Sequence, residues 1–161
     1  MIEFEISKKL LADARKRADL QKSNKFTFSD DGKLYGIIAE MLFLEHFGGE
    51  LKNTKHYDIV LGAHKIDIKT KSCKDKPKEN YTASVSDYQK NHESDAYFFF
   101  RVSKDLKLAW ALGGMLKKEF YEKAELVKAG TRDGGFVCRV DMWSIEISKL
   151  VEPTKFVKDL K

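Results

Sequence analysis

The stretch YDIVLGAHKIDIKTK, residues 57–71, decides the fold of this chain. Two runs rich in β-branched residues flank a short link that begins at Gly62, which is the pattern of a β-hairpin. The first run nevertheless opens with Asp58, and the second carries Asp67 and Lys69. The sequence therefore predicts a hairpin whose charged residues need a chemical explanation.

The composition predicts one globular domain over residues 1–161. With 161 residues, of which 42% are hydrophobic and 12% aromatic, the chain is long enough for one compact domain with a core and too short for two domains. Lys and Arg number 30 against 25 Asp and Glu, so the formal net charge is +5. This balance favours a polyanionic partner without identifying one.

Several classes of protein are not indicated. No basic and then apolar leader opens the sequence, and no run reaches the roughly 18 apolar residues of a membrane span. We therefore expect a cytoplasmic protein with no membrane partner.

Cys73 and Cys138 belong to no CxxC pair, so we expect reduced thiols. The four histidines do not have zinc-ligand spacing: His46, His56, His64 and His92.

The periodicity along the chain predicts an α/β fold without an internal linker. Helical spacing of apolar residues covers residues 5–20, 33–47 and 115–130. Strand-like runs cover six ranges: 57–61, 66–71, 81–86, 95–103, 106–114 and 142–150. A polar link over residues 24–32 precedes the second helix, where Ser29, Asp30 and Asp31 suit the N-terminal end.

A group of large aromatic residues is expected in the core rather than as platforms for nucleic-acid bases. Phe98, Phe99 and Phe100 are consecutive, so they alternate between the two faces of a strand. Only a strand covered on both faces tolerates that pattern. We expect the same core placement for Trp110 and Trp143.

Glu40 stands within GIIAEMLFLEHF, the apolar part of the second predicted helix. Its neighbours one helical turn away are glycine, isoleucine, phenylalanine and leucine. A buried and unpaired carboxylate there would cost roughly several kcal/mol. Either Glu40 marks the solvent side of the helix, or a partner elsewhere in the fold compensates its charge.

The second strand of the hairpin places Asp67 and Lys69 on one face. Residues two apart in a strand lie about 6–7 Å from each other, while the isoleucines beside them face the opposite side. This charged row is either solvated surface or part of a site that also includes Glu40 and Asp58.

Three acids and a lysine suit the chemistry of Mg²⁺, or of Mn²⁺, which prefers hard oxygen ligands. Asp58 and Asp67 are candidate ligands, and the carbonyl of Ile68 is a candidate backbone ligand. Glu40 would bind a second ion or orient a metal-bound water. Lys69 would orient the attacking water and balance charge on phosphorus. The expected reaction is phosphodiester hydrolysis.

The order Glu40, Asp58, Asp67-Ile68-Lys69 resembles the PD-(D/E)xK, or restriction-endonuclease-like, nuclease superfamily. In that superfamily a helix acid precedes a hairpin that bears D…(D/E)xK, although Tyr57 stands here where the pattern has proline. The resemblance covers the order of elements over residues 33–114. It implies a central mixed β-sheet flanked by helices, a divalent-metal site and a nucleic-acid substrate.

The resemblance also implies a glutamine after the DxK strand, and Gln89 in VSDYQKN stands at a suitable place. We therefore count Gln89 among the candidate catalytic residues. The alternative is that Gln89 is a turn residue facing solvent, and Tyr88 beside it fits an ordinary core position.

A lysine-rich string, KIDIKTKSCKDKPK over residues 65–78, surrounds the acids. Its lysines and a tyrosine after it are the candidate contacts to a DNA backbone: Lys65, Lys71, Lys74, Lys76, Lys78 and Tyr81. The alternative is a solvated lysine-rich loop. We expect duplex or branched DNA as the partner and a homodimer as the cutting unit, and the compact size suits a phage or mobile-element enzyme.

Two further hypotheses remain beside the nuclease. The first is a catalytically silent nucleic-acid-binding or assembly module on the same fold. The second is a structural protein whose charged residues form surface salt bridges. Metal binding separates the nuclease and the binding module from the structural protein, and turnover separates the nuclease from the binding module.

Overall fold

The structure is a computed structural model that describes residues 1–20, 30–52, 54–133 and 136–161. The polar link predicted over residues 24–32 lies mostly outside the described residues, including Ser29 at the predicted helix end. The side chains of Asp30 and Asp31 also lie outside them. The described elements, in chain order, are β1 (Ile2–Glu5), α1 (Lys8–Leu20), α2 (Asp30–Phe47), β2 (Glu50–Leu51), β3 (Ile59–Leu61), β4 (His64–Cys73), β5 (Thr82–Ser86), β6 (Ala96–Ser103), β7 (Leu108–Leu116), α3 (Lys117–Lys123), β8 (Glu125–Val127), β9 (Arg132–Asp133), β10 (Phe136–Val137), β11 (Met142–Glu146) and α4 (Pro153–Leu160).

A six-stranded mixed sheet forms the centre of this mixed α/β fold. Its strands lie in the order β1-β7-β6-β4-β3-β2. The β4 and β6 strands are parallel, and the other neighbours are antiparallel. The predicted central mixed sheet flanked by helices is therefore confirmed.

The predicted hairpin is formed by β3 and β4. Its turn is short, and Gly62 has a φ of +59°, which favours glycine. A Cβ atom on Gly62 would also lie 2.9 Å from the carbonyl oxygen of Leu160 in α4. Glycine therefore serves both the turn and the close approach of the C-terminal helix.

Two apolar cores cover the two faces of the central sheet. Residues of α1, α2 and α4 pack on one face with Phe98 and Phe100. On the other face, α3 and a three-stranded sheet in the order β5-β11-β8 pack against Tyr97 and Phe99. Every residue of β6 is buried, so the prediction of a strand covered on both faces is confirmed.

The two tryptophans also belong to the second core. Trp110 is buried, and Trp143 is partly buried and packs against the same cluster. Each indole nitrogen donates to a carboxylate, at 2.7 Å to Glu3 and at 2.6 Å to Asp87. Their expected core placement is confirmed.

The helix predicted over residues 115–130 forms only over Lys117–Lys123, since Met115 and Leu116 end β7 and the prediction is wrong beyond Lys123. Ala124 has an extended backbone, with ψ 151°, and the residues after it form β8 and pair with β11. Pairing with a strand distant in sequence thus overrides the helical spacing of this segment.

The helix α4 is an element that the sequence analysis did not include. Glu152 accepts hydrogen bonds from the backbone N–H groups of Thr154 and Lys155, and Pro153 stands in the first turn. Both features are typical of a helix start. Among the described residues, no helix combines the length and the apolar character needed to cross a membrane.

Candidate functional site

The strand β4 has an open edge, and the candidate site lies along it. The strand is ten residues long, but β3 pairs only with its first three residues, His64 to Ile66. Within the described residues, β6 is the only strand that pairs with β4 from Asp67 onward. A cleft of about 820 Å³ opens there, and all the predicted catalytic and metal-binding residues line it: Glu40, Asp58, Asp67, Ile68, Lys69 and Gln89.

Asp58 precedes β3 and closes the paired part of the hairpin. Its backbone N–H donates to the carbonyl of Ile66 at 3.0 Å, and its Oδ2 accepts the N–H of Ile68 at 2.8 Å. The N–H and C=O groups of one strand residue point to the same side, so the carbonyl of Ile68 also faces this edge. Burial, and then repulsion from Asp67 and Glu40, raises the pKa of Asp58 well above its usual range.

Asp67 and Lys69 form an ion pair on the face opposite Ile66 and Ile68. The Nζ of Lys69 lies 2.7 Å from Oδ2 of Asp67, and the side chains are only 16% and 8% exposed, in that order. The same Nζ lies 5.9 Å from the centre of the Tyr97 ring. The interpretation of this row as solvated surface is therefore wrong for both residues.

Glu40 is buried, with 9% of its surface exposed. Its Oε2 accepts a hydrogen bond from Nη2 of Arg17, which lies in the last turn of α1. Burial raises the pKa of Glu40, and the charge and hydrogen bond of Arg17 oppose that shift. The interpretation of Glu40 as a solvent-facing residue is wrong, because a partner on another helix compensates its charge.

The carboxylates of the cleft are suitable oxygen ligands for a hard divalent cation, but the positions of their side chains are not those of a metal site. Glu40, Asp58 and Asp67 supply oxygen ligands, and their mutual repulsion contributes to the raised pKa values of Asp58 and Glu40. Each one already has a partner in the chain: Arg17, the N–H of Ile68 and Lys69. In the described parts of the chain, no group of three or more His, Cys, Asp or Glu side chains is arranged to hold a metal ion.

A one-turn 3-10 helix, Asp87–Gln89, forms another part of the cleft wall. Gln89 lies there as expected from the sequence. Tyr88 also lines the cleft and is 57% exposed, so its interpretation as a core residue is wrong. An exposed aromatic ring beside a cleft is a suitable surface for stacking.

His92 also lines the cleft, although sequence spacing gave it no role. Its Nδ1 is buried without a hydrogen-bond partner among the described residues. Burial lowers the pKa of His92, while the charge of Asp67 opposes this. Its ring stacks on that of His56, with centroids 4.9 Å apart.

Of the residues predicted to contact DNA, Lys71 lines the cleft, Lys65 lies at the hairpin turn outside that lining, and the others lie in an exposed segment. Lys71 lines the cleft, and its Nζ lies 2.5 Å from Oγ of Ser84. Lys65 lies next to the hairpin turn, with Nζ 3.5 Å from a carboxylate oxygen of Glu93 and 5.3 Å from the centre of the Tyr57 ring.

The remaining predicted contacts lie outside the lining of the cleft. They are exposed residues of the segment that follows β4: Lys74, Lys76, Lys78 and Tyr81. The Nζ of Lys76 lies 3.3 Å from Glu3 on β1, at the far edge of the sheet from β3. The lysine-rich string is thus divided among the hairpin turn, the cleft and an exposed loop.

Arg101 is a cleft residue that the sequence analysis missed. It lies on β6, is 9% exposed and lines the cleft. Its Nη2 donates to the carbonyl of Thr82 at 2.7 Å. A signal was present, because Arg101 is the one charged residue in the otherwise apolar run AYFFFRV.

Two comparisons of the sequence with known proteins gave no match. No model of a protein family matches this chain, and no curated protein matches its sequence. The geometry of the cleft is therefore the basis for assigning a function.

Proposed function

We propose that this protein is a divalent-metal-dependent deoxyribonuclease that hydrolyses phosphodiester bonds in duplex or branched DNA. One observation carries the proposal. Glu40 from α2, Asp58 before β3, and Asp67 and Lys69 from β4 all line one cleft at the open edge of the sheet. Buried carboxylates beside a lysine are suited to phosphoryl chemistry that depends on a divalent ion.

We also assign the fold to the restriction-endonuclease-like type. In support, α2 precedes the β3–β4 hairpin, and β4 continues into the sheet as the parallel neighbour of β6. The spacing of the acids in the sequence agrees with the same assignment. Because the chain offers one such cleft in its described part, cutting both strands of a duplex would take two copies, so we propose a homodimer.

Asp58 and Asp67 would hold Mg²⁺ or Mn²⁺, together with the carbonyl of Ile68 and with Glu40. When bound, such an ion polarises the phosphate and favours deprotonation of water. Since Asp67 and Glu40 are engaged by Lys69 and Arg17, these carboxylates must be shared between the ion and the two basic side chains.

Lys69 has the role of orienting the attacking water and balancing negative charge on the phosphorus. Its ammonium is suited to this because Asp67 holds it 2.7 Å away in a largely buried position. Gln89 and Tyr88 would contact the substrate from the neighbouring wall of the cleft.

Cleavage of labelled duplex, single-stranded and four-way-junction DNA tests this function. The reactions contain Mg²⁺, Mn²⁺ or EDTA, and compare the wild type with Asp67→Ala and Lys69→Ala. The matched control is the exposed pair of Asp105 and Lys107, whose charged atoms lie 3.7 Å apart, changed to alanine in the same way.

We expect metal-dependent cleavage that falls by at least about 100-fold in both cleft variants and stays near the wild-type level in the controls. Cleavage that survives both cleft substitutions would place the active site elsewhere. Cleavage that persists in EDTA would refute the metal dependence.

A second candidate is a catalytically silent nucleic-acid-binding or assembly module. Two observations favour it. Each cleft carboxylate already has a partner within the chain, and the described residues contain no group of three or more side chains arranged to hold a metal ion. Binding of DNA without cleavage under any of the metals would select this candidate.

A further inference from the structure

The cleft continues along β4 beyond Lys69, and its chemistry changes there from acidic to basic. Lys71 and Arg101 are register partners on the parallel strands β4 and β6. Because side chains alternate between the faces of a sheet, Lys71 lies on the same face as Asp67 and Lys69. Both Lys71 and Arg101 line the cleft.

These two cations are held in place by β5. Arg101 donates to the carbonyl of Thr82 at 2.7 Å, and the Nζ of Lys71 lies 2.5 Å from Oγ of Ser84. Ser84 is itself buried. Side chains that are already ordered lose little conformational entropy when they bind a ligand.

Arg101 places a guanidinium on the wall of the cleft although the residue is only 9% exposed. Arg101 occupies a place in β6 where every other residue of the strand is also buried. Desolvating a guanidinium is unfavourable unless partners inside the fold compensate it, and the carbonyl of Thr82 is one such partner. Its planar donors match the oxygens of a phosphate, a recognition that lysine achieves only as a point charge.

We propose that Lys71, Arg101 and Ser84 form a phosphate-binding subsite that holds the phosphodiester next to the scissile one on the same DNA strand. The inference rests on the nuclease function proposed above. Lys69 and Lys71 are two residues apart on one face, about 6–7 Å along the strand. This step has the same order as the separation of successive phosphates, so a DNA strand would follow the open edge of β4.

Two assays separate this subsite from the active site. The first measures the affinity of a fluorescent oligonucleotide by anisotropy in Ca²⁺ and in EDTA. The second measures kcat/KM on the oligonucleotide and on bis(p-nitrophenyl) phosphate, a small diester with a single phosphate. The variants are Lys71→Gln, Arg101→Gln and Ser84→Ala, with the exposed Lys155→Gln of α4 as control.

The expected result is a loss of oligonucleotide affinity of about tenfold for Lys71→Gln and Arg101→Gln, with the salt slope reduced by about one for each. KM for the oligonucleotide rises in parallel, and kcat/KM on the small diester falls by a smaller factor than kcat/KM on the oligonucleotide. Ser84→Ala has a smaller effect in the same direction. If Arg101→Gln does not fold, Lys71→Gln and Ser84→Ala carry the test.

The two proposals fail in distinguishable ways. Unchanged oligonucleotide affinity in the variants, or equal losses on the oligonucleotide and the small diester, would overturn the subsite. If the wild type binds DNA but cuts neither substrate, the nuclease function fails while the binding assay still decides the subsite. A wild type that binds no oligonucleotide at all overturns both.

Discussion

The charged residues of the cleft and the lysines of the loop after β4 differ in what holds them. Glu40, Asp67 and Arg101 are at most 9% exposed, and each has a partner inside the fold. Lys76 in the loop is 66% exposed, and its contact is an ion pair at the surface.

This difference shows which charges need specific partners inside the fold. An exposed ion pair is worth about 0–1 kcal/mol, so a sequence acquires and loses such residues at little cost. A buried charge costs several-fold more unless specific partners compensate it, by estimates on the order of several kcal/mol per ion. The buried set is therefore the better indicator of a site, although the net charge of +5 draws attention to the lysines.

The largest effect is expected from the ion pair between the first two helices. Replacing Arg17 with methionine leaves Glu40 buried without its partner. The free energy of unfolding should fall by roughly 3 kcal/mol, the size known for breaking one side of a buried pair. Urea unfolding measures it, and a second substitution, Glu40→Gln, should recover part of the loss by removing the charge.

The matched control is Lys52→Met, which breaks the exposed pair with Glu50, 2.5 Å apart. Its cost should stay below about 1 kcal/mol. If Arg17→Met costs no more than Lys52→Met, burial does not distinguish the two pairs and the comparison fails.

Divalent ions provide the next test, because they relieve the repulsion among the cleft carboxylates. We expect Mg²⁺ or Ca²⁺ at about 10 to 100 times Kd to raise the free energy of unfolding by about 1–3 kcal/mol. Asp58→Asn and Asp67→Asn should lose most of this rise. Asp105→Asn, in an exposed turn, should keep it, and a rise that is equal in all variants would mean binding elsewhere.

The pH dependence of stability tests Asp58 without metal. Its pKa is raised by burial and by the neighbouring carboxylates, so between the usual Asp range and the raised pKa the folded state keeps a proton that the unfolded state has released. Stability therefore falls as pH rises through that window. Asp58→Asn should remove the fall and be more stable than the wild type near pH 7, by about 1–2 kcal/mol.

The sign can be checked against a group of opposite shift. The hydrogen bond from Ser103 is the main cause that lowers the pKa of Asp105, so this carboxylate stabilises the fold above its usual range and ceases to do so as pH falls. Asp105→Asn should change the pH profile in the opposite sense. Urea unfolding from about pH 2 to about pH 8 covers the windows of both groups, since the window of Asp105 lies below the usual Asp range. If the wild type and Asp58→Asn show the same dependence of stability on pH, the assignment to Asp58 is contradicted.

Local patterns were sufficient for much of the fold. The alternation in β3 and β4, the consecutive aromatics of β6 and the apolar spacing of α2 each depend on near neighbours, so periodicity revealed them. The positions of Asp58, Asp67 and Lys69 followed from the same periodicity. For β8 the pattern misled, because its strand conformation depends on pairing with β11, which begins some fifteen residues later.

Such local patterns could not predict the partners of the buried charges. Arg17 and Glu40 are 23 residues apart on separate helices, and no spacing rule joins them. The open edge of β4 depends on where β3 begins: just before Ile59, the side chain of Asp58 accepts the N–H of Ile68 in place of a strand backbone. The sequence shows Arg101 as a cation among aromatic residues. No local pattern predicts its contact with Thr82 on β5.

The smallest effect is expected from the exposed loop itself. Changing Lys74, Lys76 and Lys78 together to glutamine should lower DNA affinity less than about threefold at physiological salt, because exposed charges outside the cleft act through screened attraction. The single Lys71→Gln variant, with one charge removed instead of three, should cost more. Anisotropy titrations at several salt concentrations compare the two. If the triple variant loses more affinity than Lys71→Gln, DNA is held chiefly by the loop, and the burial of a charge is not what marks the binding surface of this protein.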